Sequence, residues 1–419
     1  MSRIVARSPG WLAAALCVLT AATSCAPRQL EVPLERDSAV ERVVSGATRS
    51  PAAIHTAFQG GFGPDAETTL PWVARRHGLW VLSGGPSKAA RLRELNPAGL
   101  VLRYTKIGGL HGPETRPPTG DPDWAEIERR DLVARDERGA PVRNTENGWF
   151  YVDLLDPARR GAWIEVLVAR LAVDLEGYDG VMLDNSGVVH ESLMSARPAG
   201  YDDAAYFDAV HEVLRAVRAA LPGKTIVFNS YGGFAAERLR GPALLDVADG
   251  IYFEGFSFKV TGTHFASRRL VQQLTDFAAA ARSGKITVAL DYVDAADVER
   301  RTFSLASFLL AAGERSYHFV SAPRIASAVQ EYPEQALDLG RALDAMRART
   351  DGLLSRRYER GWVLLNPEDQ PAVFELAGKG RAERLRLEGG GAFPSPGALV
   401  WEASARRIEL APHSGAIVR

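Results

Sequence analysis

Two acidic residues, Asp184 and Glu254, each end a short apolar run, and carboxyl groups can transfer protons or act as nucleophiles. Asp184 follows Val181–Leu183, and Glu254 follows Ile251–Phe253. Runs of this kind are typical of strands buried on both faces of a parallel sheet. A carboxylate there is costly unless it is paired or reaches the edge of the sheet. The pattern therefore predicts that both acids lie in a shared site where strands end.

Two carboxyl groups at one rim are the arrangement that glycoside hydrolysis requires, so we predict Asp184 and Glu254 as catalytic residues. A single aspartate at a strand end can equally cap the following helix. Asn229 ends a third run, Thr225–Phe228, and could bind a sugar hydroxyl or cap a loop. The spacing therefore favours glycoside chemistry over structural roles for the acids.

Other polar or aromatic side chains fall at or near predicted strand ends, which is where a barrel of parallel strands places its active site. The predicted substrate-binding residues are Asn185, Asn229, Tyr231, Tyr104, Asp291, His318 and Trp149. His318 could equally be a satisfied core histidine, and Trp149 could simply pack in the interior. Trp149 belongs to the connection from Leu110 to Asp156, which is rich in proline and aromatic residues and is predicted to form an ordered wall of the site.

The elements that must position these residues alternate between strand and helix. The predicted strands are Ile54–Gly61, Leu79–Gly85, Gly99–Gly109, Tyr178–Asn185, Thr225–Ser230, Gly250–Phe256, Lys285–Tyr292 and Ser316–Val320. The predicted helices are Ser87–Leu95, Pro157–Leu175, Asp202–Leu221, Arg268–Arg282, Val298–Ala312 and Gln335–Arg349. Eight such units predict an α/β fold, a (β/α)8 TIM barrel over residues 51–350. A doubly wound open sheet is the alternative, but no strand is followed by a glycine-rich dinucleotide fingerprint.

Residues 354–419 show a different pattern of short alternating segments separated by turn residues. These segments are Gly361–Asn366, Ala372–Leu376, Arg384–Leu387, Ala398–Trp401, Ile408–Leu410 and Ala416–Val418. Alternation with a period of two is typical of antiparallel strands with one buried face. We therefore predict a small C-terminal antiparallel β-sandwich after the barrel.

The N-terminus has the plan of an export signal. Arg3 and Arg7 precede an apolar run from Trp11 to Ala22, which is too short for a membrane span, and Cys25 follows. The position of Cys25 resembles a bacterial lipobox, so we predict a signal peptide over residues 1–25, lipidation of Cys25 and a linker over residues 26–50. The predicted product is an exported, membrane-anchored lipoprotein of the bacterial envelope; the alternative is a secreted or periplasmic protein.

Composition narrows the partners. The chain has 419 residues, of which 46% are hydrophobic and 24% are charged, with a formal net charge of −1. A nucleic-acid-binding protein usually shows a basic excess, so we predict no nucleic-acid partner. No metal-binding motif and no nucleophile elbow of a serine hydrolase is present in the sequence, and we predict neither a metal nor a cofactor.

The motifs Tyr178–Asn185, Ile226–Ser230 and Ala248–Gly255, with Tyr151–Pro157 entering a helix, resemble the hypothetical glycosyl hydrolase-like family 15 proteins. More distantly, they are similar to glycoside hydrolase family 114, which includes endo-α-1,4-polygalactosaminidases. The resemblance extends over about Ile54 to Val320. It implies a (β/α)8 glycosidase in which Asp184 is the nucleophile and Glu254 the general acid/base, with retention of anomeric configuration. The C-terminal segment is similar to the β-sandwich that follows many α-glycosidase barrels.

Three functional hypotheses follow. The first is a glycoside hydrolase of the bacterial envelope that acts on an oligo- or polysaccharide. The second is a non-catalytic carbohydrate-binding lipoprotein on a glycosidase-like barrel. The third, a barrel lyase or aldolase, needs a metal or a Schiff-base lysine at a strand end, and Lys106 is the lysine so placed.

Overall fold

A computed structural model describes residues 42–43, 56–59, 66–83, 85–112, 123–146, 148–184, 194–231, 241–259, 261–322 and 329–419. All of them belong to one compact unit, Val40–Arg419. Among these residues, no helix is both long and apolar enough to cross a membrane. The predicted signal peptide and Cys25 lie outside the described residues.

The described residues contain one parallel sheet of eight strands that closes into a barrel. Its strands are β1 (Ala57–Gln59), β2 (Leu79–Leu82), β3 (Leu100–Lys106), β4 (Gly180–Asp184), β5 (Thr225–Tyr231), β6 (Gly250–Glu254), β7 (Ile286–Tyr292) and β8 (Ser316–Ser321). Strand order follows chain order, and a parallel bridge between Thr56 and His318 joins the two ends. The prediction of a (β/α)8 barrel is confirmed, and the open doubly wound sheet is excluded.

Helices alternate with the strands as the sequence predicts. Those of the described residues are α1 (Ala66–Arg76), α2 (Pro86–Leu95), α3 (Trp124–Arg129), α4 (Pro157–Asp174), α5 (Asp203–Ala220), α6 (Gly241–Val247), α7 (Ser267–Arg282) and α8 (Val298–Ala311). Local chemistry sets their starts: Asp156 caps α4 and Asp202 caps α5 through side-chain oxygens that accept backbone N–H groups.

Side chains of the strands alternate between the barrel interior and the layer beneath the helices, because successive residues of a strand point to opposite faces. The interior contains Val81, Leu102, Met182, Val227, Tyr252, Val288 and Leu290. Residues two positions further along β3, β4, β5, β6 and β7 therefore face the carboxyl end of the interior. These residues are Tyr104, Asp184, Asn229, Glu254 and Tyr292.

The C-terminal segment forms antiparallel strands, as predicted. They are β9 (Leu354–Tyr358), β10 (Gly361–Asn366), β11 (Ala372–Glu375), β12 (Ala382–Gly389), β13 (Gly397–Ser404), β14 (Arg407–Leu410) and β15 (Ser414–Val418). β11 pairs with β14, and the others join one sheet that packs on α8. Two short segments extend this sheet: Arg347–Ala348 pairs with β9, and Arg42–Val43, from the predicted linker, pairs with Arg347–Ala348.

The predicted helix Gln335–Arg349 is wrong. Only Pro333–Ala336 forms a helical turn, and it is of the 3-10 type. The backbone beyond it bonds to the next strand instead of to itself, since Leu343 N–H donates to Arg357 and Glu359 N–H donates to the carbonyl of Arg341. Gly340, with φ +71°, also breaks the helix. Pairing with β9 overrides the helical propensity of this stretch.

Arg356 on β9 couples the sheet to the barrel. Its side chain is 1% exposed and donates to the carbonyls of Leu309 and Ala312, at 2.9 and 2.8 Å, at the C-terminus of α8. A cation at this end also interacts favourably with the helix dipole. We expect Arg356→Met to lower stability by about 2–4 kcal/mol, because buried carbonyls lose their donors.

Thermal unfolding of purified variants measures this effect. Arg357→Met is the matched control, since Arg357 is the next residue of the same strand and is exposed. A melting temperature for Arg356→Met equal to that of Arg357→Met would contradict the assigned role.

Candidate active site

Four neighbouring side chains at the carboxyl end of the barrel are joined by hydrogen bonds. They are two carboxyl groups, an amide that lies between them and a tyrosine that donates to one of them. The Asn229 Nδ2 group donates to Asp184 Oδ1 and to Glu254 Oε2, at 2.7 Å in each case. The Tyr104 hydroxyl donates to Asp184 Oδ2 at 2.5 Å. Because both carboxylate oxygens lie 2.7 Å from one nitrogen, they are separated by at most twice that distance.

Tyr292 completes the arrangement on the Glu254 side. Its hydroxyl donates to Glu254 Oε1 at 2.7 Å, so each oxygen of Glu254 has a donor. Burial raises the pKa of the Tyr292 hydroxyl, and the charge of Glu254 raises it further. Burial likewise raises the pKa of Tyr104, beside Asp184. Both phenols therefore remain protonated donors over the ordinary range of pH.

Glu254 differs electrostatically from an ordinary exposed glutamate. Burial raises its pKa above the usual carboxyl range, and the charge of Asp184 raises it further. The donors Tyr292 and Asn229 act in the opposite direction, and the charge of Glu146 adds a small upward contribution. The site thus favours a protonated Glu254 at pH values where a free glutamate is ionised.

Asn229 and Tyr252 leave polar atoms without partners in the part of the chain that the structure describes. The Asn229 Oδ1 atom and the Tyr252 hydroxyl are buried and make no hydrogen bond to any described residue. The two residues are directly paired on β5 and β6, immediately beside the two carboxyl groups. An unsatisfied buried acceptor is costly, and the hydroxyl of a bound molecule can satisfy it.

Asp291 and His318 do not join this group. Both are buried on the outer face of the barrel against α8, where the Ser304 hydroxyl is 2.6 Å from Asp291 Oδ2 and 2.9 Å from His318 Nε2. Leu290 and Tyr292 occupy the inward positions of β7, so the strand period turns Asp291 away from the opening. The structure therefore separates these two predicted substrate-binding residues from the carboxyl pair.

Trp149 packs within the long connection after β3. It is 4% exposed, its ring centre lies 4.4 Å from that of Tyr151, and Lys106 Nζ lies 4.7 Å from the ring centre. At this exposure the ring of Trp149 offers little free surface for stacking on a sugar. Lys106 Nζ is also 2.9 Å from His111 Nε2, so the lysine of the lyase hypothesis is engaged beside the site.

One predicted site residue and the side chain of another fall outside the part of the chain that the structure describes, and the site contains a residue that was not predicted. Asn185 lies outside the described residues, as does the side chain of Tyr231. Sequence reasoning did not include Tyr292 among the site residues. Tyr292 had a signal of position only: it is the last residue of the predicted strand Lys285–Tyr292, but the sequence does not show which face of the strand it occupies. Within the described ranges, no group of three histidine, cysteine or acidic residues is arranged to hold a metal ion.

A closed parallel barrel with a carboxyl pair at the carboxyl ends of its strands is the architecture of a barrel glycosidase. The chain belongs to the hypothetical glycosyl hydrolase family 15, whose model matches residues 94–362, more than half of its length. The resemblance to this family drawn from the sequence motifs is confirmed, and the protein is a glycosidase. A carbohydrate substrate follows from this class.

Solved structures with a similar fold come from several glycosidases. The glycoside hydrolase domain of PelA from Pseudomonas aeruginosa is 21% identical, with a TM-score of 0.45, over 66% of this chain and 96% of that one. A noncanonic maltogenic α-amylase, AmyB from Thermotoga neapolitana, is 12% identical, with a TM-score of 0.44, over 87% and 99% of the two chains. A comparison with curated proteins gave no match. The family match, and not these structural likenesses, therefore carries the class of reaction.

Proposed function

We propose that this glycosidase cleaves an oligo- or polysaccharide at the bacterial envelope with Asp184 as nucleophile and Glu254 as general acid/base, and that it retains anomeric configuration. One observation carries the assignment. Asn229 Nδ2 bridges the two carboxyl groups at 2.7 Å on each side. Retaining glycosidases have carboxyl groups about 5–5.5 Å apart, whereas inverting ones leave about 6.5–9.5 Å for a water molecule. A shared donor supports the shorter separation.

The different surroundings of the two acids support their different roles. A general acid must hold a proton at working pH, and burial together with the charge of Asp184 raises the pKa of Glu254. Asp184 accepts hydrogen bonds from Tyr104 and Asn229, which orient its carboxylate. Asn229 Oδ1, which has no partner among the described residues, provides an acceptor for a substrate hydroxyl beside both groups. This is the environment that a covalent glycosidase mechanism needs.

The proposed reaction has two steps. In the first, an Asp184 oxygen attacks the anomeric carbon while the bond to the leaving oxygen breaks and Glu254 transfers its proton to that oxygen. In the second, the Glu254 carboxylate takes a proton from water, which attacks the anomeric carbon and releases Asp184. Asn229 remains hydrogen-bonded to both carboxyl groups and keeps their relative positions fixed.

Two measurements on the purified protein test this proposal. Turnover of a panel of aryl glycosides and exopolysaccharides tests the class of substrate. Proton NMR of the first-formed product then gives the anomeric configuration, and we expect it to be retained. An inverted first product would show that Asp184 is not the nucleophile, and binding without turnover on any substrate of the panel would favour a carbohydrate-binding protein.

Cys25 supports the proposed location, because it follows an apolar run of the length found in export signals. We expect Cys25→Ser to abolish lipid attachment and to release the protein from membranes or block its processing, since a thiol is the acceptor for the lipid. Fractionation of expressing cells and mass spectrometry of the N-terminus measure this. Cys17→Ser is the matched control, and unchanged membrane association of Cys25→Ser would contradict the anchor.

A further inference from the structure

The turn that directly follows Glu254 is held by side chains outside the active site. Ser257 N–H and Phe258 N–H donate to Asp291 Oδ1, at 2.7 and 3.3 Å. The carbonyls of Gly255 and Phe256 accept from Gln273 Nε2, at 3.0 and 2.6 Å. Backbone groups on both sides of the turn are therefore fixed by two side chains, and Glu254 is the residue on which the turn begins.

Asp291 is also held by a hydrogen bond on the side away from the turn. It is 0% exposed, and its second oxygen accepts the Ser304 hydroxyl of α8 at 2.6 Å. The same Ser304 oxygen lies 2.9 Å from His318 Nε2 of β8. His318 stacks on Phe308 with ring centres 5.0 Å apart. Burial lowers the pKa of His318 to about 3, so the ring is neutral near pH 7.

The proton arrangement follows from this chain of contacts. A hydroxyl has one proton, and Ser304 directs it toward the carboxylate of Asp291. With the Ser304 proton in this bond, the Ser304 oxygen accepts a hydrogen bond from His318 in the tautomer that is protonated on Nε2. In a nucleophilic triad the histidine stands between serine and acid, but here the serine stands between them. Ser304 is 0% exposed, so the set does not constitute a second hydrolytic centre.

We infer that Asp291, supported by Ser304 and His318, is a positioning residue that holds the turn after β6 and thereby aims the Glu254 carboxyl at the leaving oxygen. The inference rests on the proposed role of Glu254 as general acid/base. Displacement of a reacting group by about 1 Å can cost about 100-fold in rate. A buried acid that binds two successive backbone amides next to Glu254 restricts such displacement.

The test compares two kinds of substrate. We expect Asp291→Ala to lower kcat about 100-fold for a substrate with a poor leaving group, which needs the acid, with little change in KM. The leaving group of an activated aryl glycoside departs without protonation. With such a substrate, the rate of the step that forms the glycosyl-enzyme should fall much less. Asp291→Asn keeps one oxygen for the two amides and should recover most of the loss.

Ser304→Ala provides a milder variant, in case Asp291→Ala does not fold. It leaves Asp291 in place and removes the hydroxyl behind it, and we expect a smaller loss with the same dependence on leaving group. Ser307→Ala is the matched control: Ser307 is equally buried on the same helix, and its hydroxyl has no partner among the described residues. It should behave like the wild type.

Amide hydrogen exchange gives a readout that does not depend on turnover. Ser257 and Phe258 should exchange faster in Asp291→Ala and Ser304→Ala than in Ser307→Ala. Equal losses on both substrates, or unchanged exchange at the turn, would overturn the inference. If Glu254→Gln leaves turnover unaffected, the proposed function fails. If Glu254→Gln loses turnover but the Asp291 variants depend on the leaving group as the wild type does, only the inference about Asp291 fails.

Discussion

Replacing Asp184 by alanine is expected to lower kcat by about 10⁴-fold or more, since the enzyme loses the nucleophile that forms the glycosyl intermediate. The loss should affect activated and poor leaving groups alike, because both need attack at the anomeric carbon. Azide can enter the space left by the carboxylate and attack from the same face. The product of this rescue should be a glycosyl azide of inverted configuration, which NMR identifies.

A control from the same strand region separates chemistry from stability. Asp179 precedes β4 at the opposite end of the barrel, where it pairs with Arg93 at 2.5 Å. Asp179→Asn should retain the wild-type kcat per folded molecule, whatever its effect on the melting temperature. Rescue of Asp184→Ala to a retained azide product would assign the nucleophile elsewhere.

Replacing Glu254 by glutamine is expected to lower kcat by about 10²- to 10⁴-fold for substrates with poor leaving groups, the range typical of general acid catalysis. An activated leaving group should reduce this loss in the first step. With Glu254→Ala and an activated substrate, azide should restore turnover and yield a glycosyl azide of retained configuration, because Asp184 still forms the intermediate. A glycosyl azide of inverted configuration from this variant would show that Glu254 is the nucleophile and Asp184 the general acid/base.

The dependence on pH follows from the same carboxyl group. The general acid acts when protonated, and burial and the charge of Asp184 raise the pKa of Glu254. Activity should therefore persist above the ordinary carboxyl range and fall as pH rises through this raised pKa. A plot of kcat/KM against pH for the free enzyme measures it. The alkaline limb should be absent in Glu254→Gln, and an unchanged limb would assign it to another group.

The position of the carboxyl pair could be predicted from the sequence because strand ends are local features. Asp184, Asn229 and Glu254 each end an apolar run, and the structure brings all three within hydrogen-bonding distance. Their pairing also needed the chain order of the strands to be their spatial order, which holds here. The distance between the acids could not be predicted, because it depends on one amide that bridges two strands.

The face of the strand on which each residue lies could not be predicted from the sequence. A parallel strand buried on both sides shows no apolar and polar alternation, so β7 offers no signal for which face Asp291 or Tyr292 occupies. A shift of one residue exchanges the interior and exterior positions. Closure of the barrel places Tyr292 against Glu254 and turns Asp291 toward Ser304.

By itself, the sequence determined the alternation of strand and helix, the C-terminal antiparallel strands and the two acids at strand ends, because these depend on periodicity and local polarity. Only the tertiary structure decided the conformation of Gln335–Arg349 and the partners of Asp291. The first stretch has helix-forming residues, yet its backbone bonds to the strand region Leu354–Tyr358 and its neighbours. Both outcomes depend on groups distant in the chain, whose hydrogen bonds outweigh local preference once they are buried.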